Sequence, residues 1–193
     1  MNRAAFLDRD GVINRKAPPG QYITCWEDMH FLPGVIQGIA LLNRVGFRVI
    51  VVTNQRCIAK GLVTEAGMTA MHRRMRTELS AAGAVIDDIY YCPHEMHPAC
   101  TCRKPAPGML LEAATEHNID LANSWMIGDT DIDMQAARNA GCKTARLLEA
   151  DDISNCRADV TAPSLLALVG KILELESSVE ISHEPPIPPL VPL

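Results

Sequence analysis

Apolar and polar positions along this chain alternate between two rhythms. Short, dense apolar runs read as strands buried on both faces. Longer stretches with apolar positions three or four apart read as amphipathic helices. Residues 3–7 form the first predicted strand, and residues 33–45 a helix. There Pro33 suits the first turn, Val35, Ile39 and Leu42 share a face, and Gly46 stands just past the end. Residues 47–52 are a β-branched second strand. The next helix begins at Thr64-Glu65, with Thr64 as N-cap, and ends at Gly83. Met68, Met71, Met75, Leu79 and Ala82 recur along one side of it. Because that stripe is a single amphipathic face, it predicts core packing and not an adaptable binding surface. Strands follow at 85–91, 124–127 and 143–147, with a sixth at 158–160. Helices follow at 107–117, at 131–140 (closed by Gly141), and from Pro163 to about Leu175.

Alternating strands and helices predict an α/β fold, a mainly parallel sheet with helices on both faces. In such sheets ligands bind outside the carboxyl ends of the strands, near a topological switch point. Asp8 and Asp10 end the first predicted strand, Thr53 the second and Asp129 the fourth. Their shared position is the internal argument for a single site. Two segments interrupt the alternation. Residues 13–31 form a polar, Pro/Gly-containing loop that should overhang this site. Residues 177–193 carry five prolines in the last nine positions, which bars helix and central strand. The expected organisation is one domain over 1–176 and a polyproline-like arm over 177–193, flexible or packed on a neighbour.

Composition narrows the functional classes. The 193 residues suffice for one domain with a sizeable core. At 48% hydrophobic and 21% charged residues, the make-up is that of an ordinary globular protein. A net charge of −5 argues against a general nucleic-acid surface, although Arg103-Lys104 could form a local basic site. No apolar run reaches membrane-spanning length. Met1-Asn2-Arg3 leads straight into the first strand, so no signal peptide is expected and the cytoplasm is the expected compartment.

Seven cysteines in such a compartment suggest metal ligands or buried thiols before disulfides. Cys25, Cys57, Cys142 and Cys156 are scattered and read as small buried hydrophobes. Cys92-Pro93-His94 and Cys100-Thr101-Cys102 are two ligand pairs flanking a short loop. Three thiolates and one imidazole suit a closed, structural Zn²⁺ site, which would staple a loop with little apolar content. His97 is a rival ligand, ranked below His94 because Cys-x-His mirrors Cys-x-Cys.

The remaining chemistry is that of phosphate. In Asp8-Arg9-Asp10-Gly11 two carboxylates, two residues apart at a strand end, can meet at one divalent cation. A carboxylate with a pKa near about 3.9 is already ionised at neutral pH and can attack without a base. Thr53 and Asn54 can donate hydrogen bonds to a phosphate. Lys104, stiffened by Pro105 and Pro107, can balance its charge. Asp131 reads as compensation of a helix dipole. For Asp133 that reading and support of a metal site weigh equally.

These motifs, with Gly128-Asp129, resemble the haloacid dehalogenase (HAD) superfamily of phosphohydrolases. The resemblance implies that Asp8 is the nucleophile and Asp10 the acid and then the base. It implies Mg²⁺ held by the side chains of Asp8 and Asp129 and the backbone carbonyl of Asp10. Residues 7–14, Val52-Thr53-Asn54-Gln55, Tyr91-Cys92-Pro93-His94 and Cys100-Thr101-Cys102-Arg103-Lys104-Pro105 are narrower. They resemble D-glycero-D-manno-heptose-1,7-bisphosphate 7-phosphatases and the related histidinol-phosphatase domains, over about residues 3–175. That likeness implies a Rossmann-like core without a large cap domain, and a zinc loop that helps to shape specificity. Ile58-Ala59-Lys60-Gly61 favours the heptose branch, in which Arg103 would hold the substrate's second phosphate. Thr130 stands where that branch usually has a basic residue, and Cys57 where it usually has glycine. The expectation is a Mg²⁺-dependent phosphatase, monomeric, acting on a small sugar phosphate without nucleic-acid or membrane partners. Histidinol phosphate is the alternative substrate, and a non-catalytic phosphate-binding protein the alternative class.

Overall fold

The structure, a computed structural model, describes residues 1–148 and 157–181. Six strands form one sheet: β1 (Ala4–Leu7), β2 (Arg48–Asn54), β3 (Asp88–Cys92), β4 (Trp125–Gly128), β5 (Lys143–Leu147) and β6 (Val160–Ala162). Their order is β3-β2-β1-β4-β5-β6, and every neighbouring pair is parallel. The chain winds outward from β1 to β3, returns to lay β4 on the other side of β1, and winds outward again. The switch point therefore lies between β1 and β4.

Among the described residues, five α-helices cover the sheet: α1 (Val35–Arg44), α2 (Glu65–Ala81), α3 (Gly108–His117), α4 (Asp131–Ala140) and α5 (Leu165–Ile181). The two-residue period of the strands assigns side chains to faces. Ala5, Leu7, Val49, Val51, Trp125 and Ile127 share a buried cluster with α1, α2 and α5. Ala4, Phe6, Ile50, Val52 and Met126 share the other with α3 and α4. Both faces of β1 are thus core, which explains its unbroken apolar sequence. Met68, Met71, Met75 and Leu79 of α2 are buried as the stripe predicts, while Ala82 is exposed at the C-cap. The Thr64 hydroxyl caps α2 by accepting from Gly67 N–H at 3.0 Å.

Several boundaries shift because polar side chains capture backbone groups. The third strand begins at Asp88 and not at Val85. The carboxamide of Asn43 takes both the N–H of Val85 (2.9 Å) and its carbonyl (3.0 Å), so neither joins the sheet there. The sixth strand begins after Asp159, whose carboxylate accepts from Thr144 N–H (2.8 Å) and hydroxyl (2.7 Å). Helix α1 starts at Val35, because Gly34 takes up a left-handed conformation (φ 80°) at its N-cap. Helix α5 runs past the expected end near Leu175, so the expected domain boundary falls inside a helix. Glu176 anchors that extra length, accepting from Arg3 (2.8 Å) and Trp125 Nε1 (2.9 Å). Cys57 and Cys142 are buried as expected. Cys25 is exposed, its thiol donating to Asp28 at 3.1 Å just before a 3₁₀ turn. Cys156 and residues 182–193 lie outside the described residues.

Candidate active site

The carboxyl ends of β1, β2 and β4 deliver the predicted residues to one place. Asp8 leaves β1 with its N–H bonded to the Ile127 carbonyl of β4 at 2.9 Å. Asp129 follows β4, and Asp133 lies in the first turn of α4. Oxygens of these three carboxylates all lie within 4.8 Å of one another. Two glycines make this approach possible. A side chain at Gly11 (φ 96°) would overlap the Asp129 carboxylate, and one at Gly128 would overlap Asp133.

Lys104 binds the cluster together. Its ammonium donates to Asp8 (3.0 Å), Asp133 (2.6 Å) and the Val52 carbonyl (2.8 Å). An ammonium has three donors, and all three are used. Burial alone would depress its pKa, but the carboxylates of Asp133 and Asp8 raise it, so Lys104 stays charged. Its backbone is fixed by Asn54, whose carboxamide donates to the Lys104 carbonyl and accepts from its N–H, both at 3.0 Å. The predicted phosphate donor Asn54 thus serves first to place Lys104. Thr53 is buried at the end of β2, its hydroxyl accepting from Gln55 at 2.9 Å.

The carboxylates differ in their surroundings. Burial raises Asp8 to about 7; Lys104 opposes this, while Asp133, Asp10 and Asp129 add to it. Burial also raises Asp129, with Lys16 from the overhanging loop opposing it. For Asp133 burial acts upward, but Lys104 and Thr130 prevail and hold it low. Asp133 also accepts from the Thr130 N–H (3.1 Å) and hydroxyl (2.5 Å), which closes the first turn of α4. Asp133 thus caps α4 and also takes part in the carboxylate cluster through Lys104. Asp131 is exposed and pairs with Arg146.

Asp10 is placed apart from the other three carboxylates. Its side chain accepts from Arg9 (2.9–3.1 Å), Asn14 (2.9 Å) and Gln55 (3.0 Å). Burial would raise its pKa, but Arg9 and the two amides outweigh that and keep it below the usual carboxylate range. Arg9, Asn14 and Gln55 carry no separate signal of this role in the sequence. Their only signal was membership in the motifs that carry Asp8 and Thr53.

Cys92, His94, Cys100 and Cys102 converge beyond the end of β3. Cys92 Sγ lies 3.6 Å from both His94 Nδ1 and Cys100 Sγ. His94 Nδ1 is 3.2 Å and Cys100 Sγ 3.4 Å from Cys102 Sγ. Tetrahedral Zn²⁺ with arms of 2.0–2.3 Å requires ligand separations of about 3.5–3.8 Å, close to these values. His97 is exposed and outside the cluster. Arg103 extends across this loop, with one guanidinium N–H 3.5 Å from the His94 carbonyl.

A carboxylate cluster at the switch point of a parallel α/β sheet, braced by a buried lysine, is suited to holding a divalent cation and a phosphate ester. A family profile described as HAD-hydrolase-like matches residues 101–165. The chain is 41% identical over 157 residues to the D-glycero-beta-D-manno-heptose-1,7-bisphosphate 7-phosphatase of Rhodopseudomonas palustris, covering 78% of this chain and 85% of that one. It is 43% identical over 149 residues to the enzyme of that name from Escherichia coli K12, covering 72% and 76%. The crystal structure of D,D-heptose 1,7-bisphosphate phosphatase from B. bronchiseptica, complexed with magnesium and phosphate, matches with a TM-score of 0.82 at 32% identity. That match covers 91% of this chain and 99% of the other. The chain belongs to the D-glycero-D-manno-heptose-1,7-bisphosphate 7-phosphatase family of HAD hydrolases.

Proposed function

We propose that this enzyme removes the 7-phosphate of D-glycero-D-manno-heptose 1,7-bisphosphate through an aspartyl phosphate on Asp8. The observation that carries this reading is the convergence of Asp8, Asp129 and Asp133 around Lys104 at the switch point of the sheet, in a chain about 40% identical to enzymes of that name.

The carboxylate cluster fits a divalent cation. Three acidic groups crowd together, and the buried Asp129 Oδ1 has no hydrogen-bond partner among the described residues. Asp8 and Asp129 would hold Mg²⁺ by side chain, and Asp10 by its main-chain carbonyl. Bound there, the ion supplies positive charge to the phosphate oxygens. Lys104 holds Asp8 in place and contributes a second fixed charge. Asp8 attacks phosphorus as the bond to the sugar oxygen breaks. Asp10 is ionised in the free enzyme; it takes up a proton as the anionic phosphate ester binds, gives that proton to the departing oxygen and then, again a carboxylate, takes a proton from the water that releases phosphate from Asp8. The hydroxyl of Thr53 donates to the phosphate. Arg103, at the edge of the cysteine loop, takes the second phosphate of the substrate. Cys92, His94, Cys100 and Cys102 would hold Zn²⁺ as a structural clip.

The partner is a small sugar phosphate. Neither nucleic acid nor membrane enters this reading. The net charge is −5, and among the described residues no helix is long and apolar enough to cross a membrane. We place the reaction in the cytoplasm, carried out by a monomer.

The test is phosphate release from heptose 1,7-bisphosphate and from histidinol phosphate, measured side by side with Mg²⁺. A strong preference for the bisphosphate is expected. Preference for histidinol phosphate would overturn the substrate assignment, and no turnover of either would overturn the activity.

A further inference from the structure

The residue between the two motif aspartates is as buried as any in the molecule. Arg9 is 0% exposed, an unusual place for a guanidinium. It folds back on its neighbour. Nε and Nη2 donate to Asp10 Oδ1 at 3.1 and 3.0 Å, and Nη2 also reaches Oδ2 at 2.9 Å. The other end of the fork turns into α2, where Nη1 lies 3.1 Å from His72 Nε2 and 3.2 Å from Met68 Sδ. Met68 and His72 are one turn apart on the buried face of α2. A guanidinium can only donate. His72 Nε2 must therefore be a bare acceptor, with the imidazole neutral and its proton on Nδ1. The His72 ring is 4% exposed and packs edge-on against Tyr91, with centroids 5.5 Å apart.

From this chain of contacts we infer that Arg9 and His72 are positioning residues for Asp10, so that α2 holds the acid–base group through two buried side chains. The inference rests on the phosphatase reading above. Its logic is steric. The Asp10 carboxyl must lie beside the departing sugar oxygen to pass its proton there as the P–O bond breaks. Asn14 and Gln55 each give Asp10 a single hydrogen bond, whereas Arg9 grips both oxygens. Arg9 in turn stays in this buried pose only while its remaining N–H groups are satisfied, and His72 provides the nitrogen acceptor. Without that acceptor the fork turns elsewhere and the Asp10 rotamer is released. A displacement of about 1 Å in a reacting group can cost about a hundredfold in rate.

The experiment compares His72→Leu, His72→Gln and Arg9→Lys with the wild-type enzyme on two esters in the presence of Mg²⁺. Heptose 1,7-bisphosphate has an alkoxide leaving group that needs a proton. p-Nitrophenyl phosphate has a leaving group that departs without one. His72→Leu should lower kcat/KM for the bisphosphate about 10- to 100-fold, and by a factor at least about fivefold smaller for the aryl ester. The change should fall in kcat, because His72 is buried and reaches Asp10 only through Arg9. His72→Gln, whose Oε1 can replace the Nε2 acceptor, should recover most of the loss, while Arg9→Lys, which lacks the fork, should show the same ester-selective defect. Equal losses on both esters, a change confined to KM, or a His72→Gln no better than His72→Leu would each overturn the inference while leaving the phosphatase reading intact. A wild-type enzyme inactive on both esters would overturn that reading and this inference with it.

Discussion

Asp8 and Asp129 stand at the ends of central strands and Asp133 in the first turn of α4, and all three are neutralised by the protein itself, through Lys104 and Lys16. Cys92, His94, Cys100 and Cys102 gather on and beyond an edge strand, and only Cys92 belongs to the sheet. The first cluster is built into the fold and would persist without an ion. In the second, Cys92 is buried and Cys100 and Cys102 pack against the core, while His94 is exposed, and on the zinc reading proposed above an ion would join the four where no lysine bridges them. On that reading, one chain would contain a preorganised site and a site that its ligand completes.

The strongest way to break this comparison is at Asp8, the proposed nucleophile. Asp8→Asn should cut turnover by at least about 10³-fold while the denaturation midpoint barely moves. A matching fall in stability would show that the strand-end site is not preorganised. Next in size is Lys104→Met. It strands Asp8 and Asp133 without their shared cation and should cost about 3–5 kcal/mol in urea denaturation. Adding Mg²⁺ should restore part of that loss. Metal removal sharpens the other half. A strong chelator should expose residues 93–101 to limited proteolysis, read by mass spectrometry, while the central sheet stays protected. Cutting in α1 or α5 at the same rate would mean that the cysteine cluster supports the whole domain.

A smaller effect tests the buried network by pH. Burial and the Arg9 charge press His72 down to about 3. The unfolded chain binds that proton below about pH 6.5 and the folded chain does not. Stability from this residue is therefore full above pH 6.5 and falls as pH drops toward 3, by about 2 kcal/mol at pH 5. In His72→Gln that portion of the acid slope should vanish from urea curves taken between pH 7 and pH 5. The smallest expected change is in Arg103→Ala, which should raise KM for the bisphosphate about tenfold and leave KM for a monophosphate ester nearly unchanged.

Much of this site is written locally. The apolar runs mark where strands end, and Asp8, Thr53 and Asp129 follow those ends directly. Cys-x-His and Cys-x-Cys carry their geometry in their spacing. What stays hidden depends on side-chain direction across long separations. Nothing near Arg9 says that its fork turns toward His72, and His72 itself sits inconspicuously among methionines on an amphipathic face. The third and sixth strands start late for the same reason, since Asn43 and Asp159 capture backbone groups that propensity alone gives to the sheet. Asp133 could not be divided between cap and cluster because it performs both tasks with different oxygens.

To an amine-reactive reagent, the five lysines of this chain are not equivalent. Acylation needs a neutral, reachable amine. Lys16, Lys60 and Lys171 are exposed and Lys143 is half-buried, whereas Lys104 is enclosed, held protonated and fully engaged by three acceptors. Tethering the enzyme to a surface through its amines would therefore proceed through the others and leave Lys104 unmodified. Lys16, beside Asp129, would be the one attachment point that intrudes on the site.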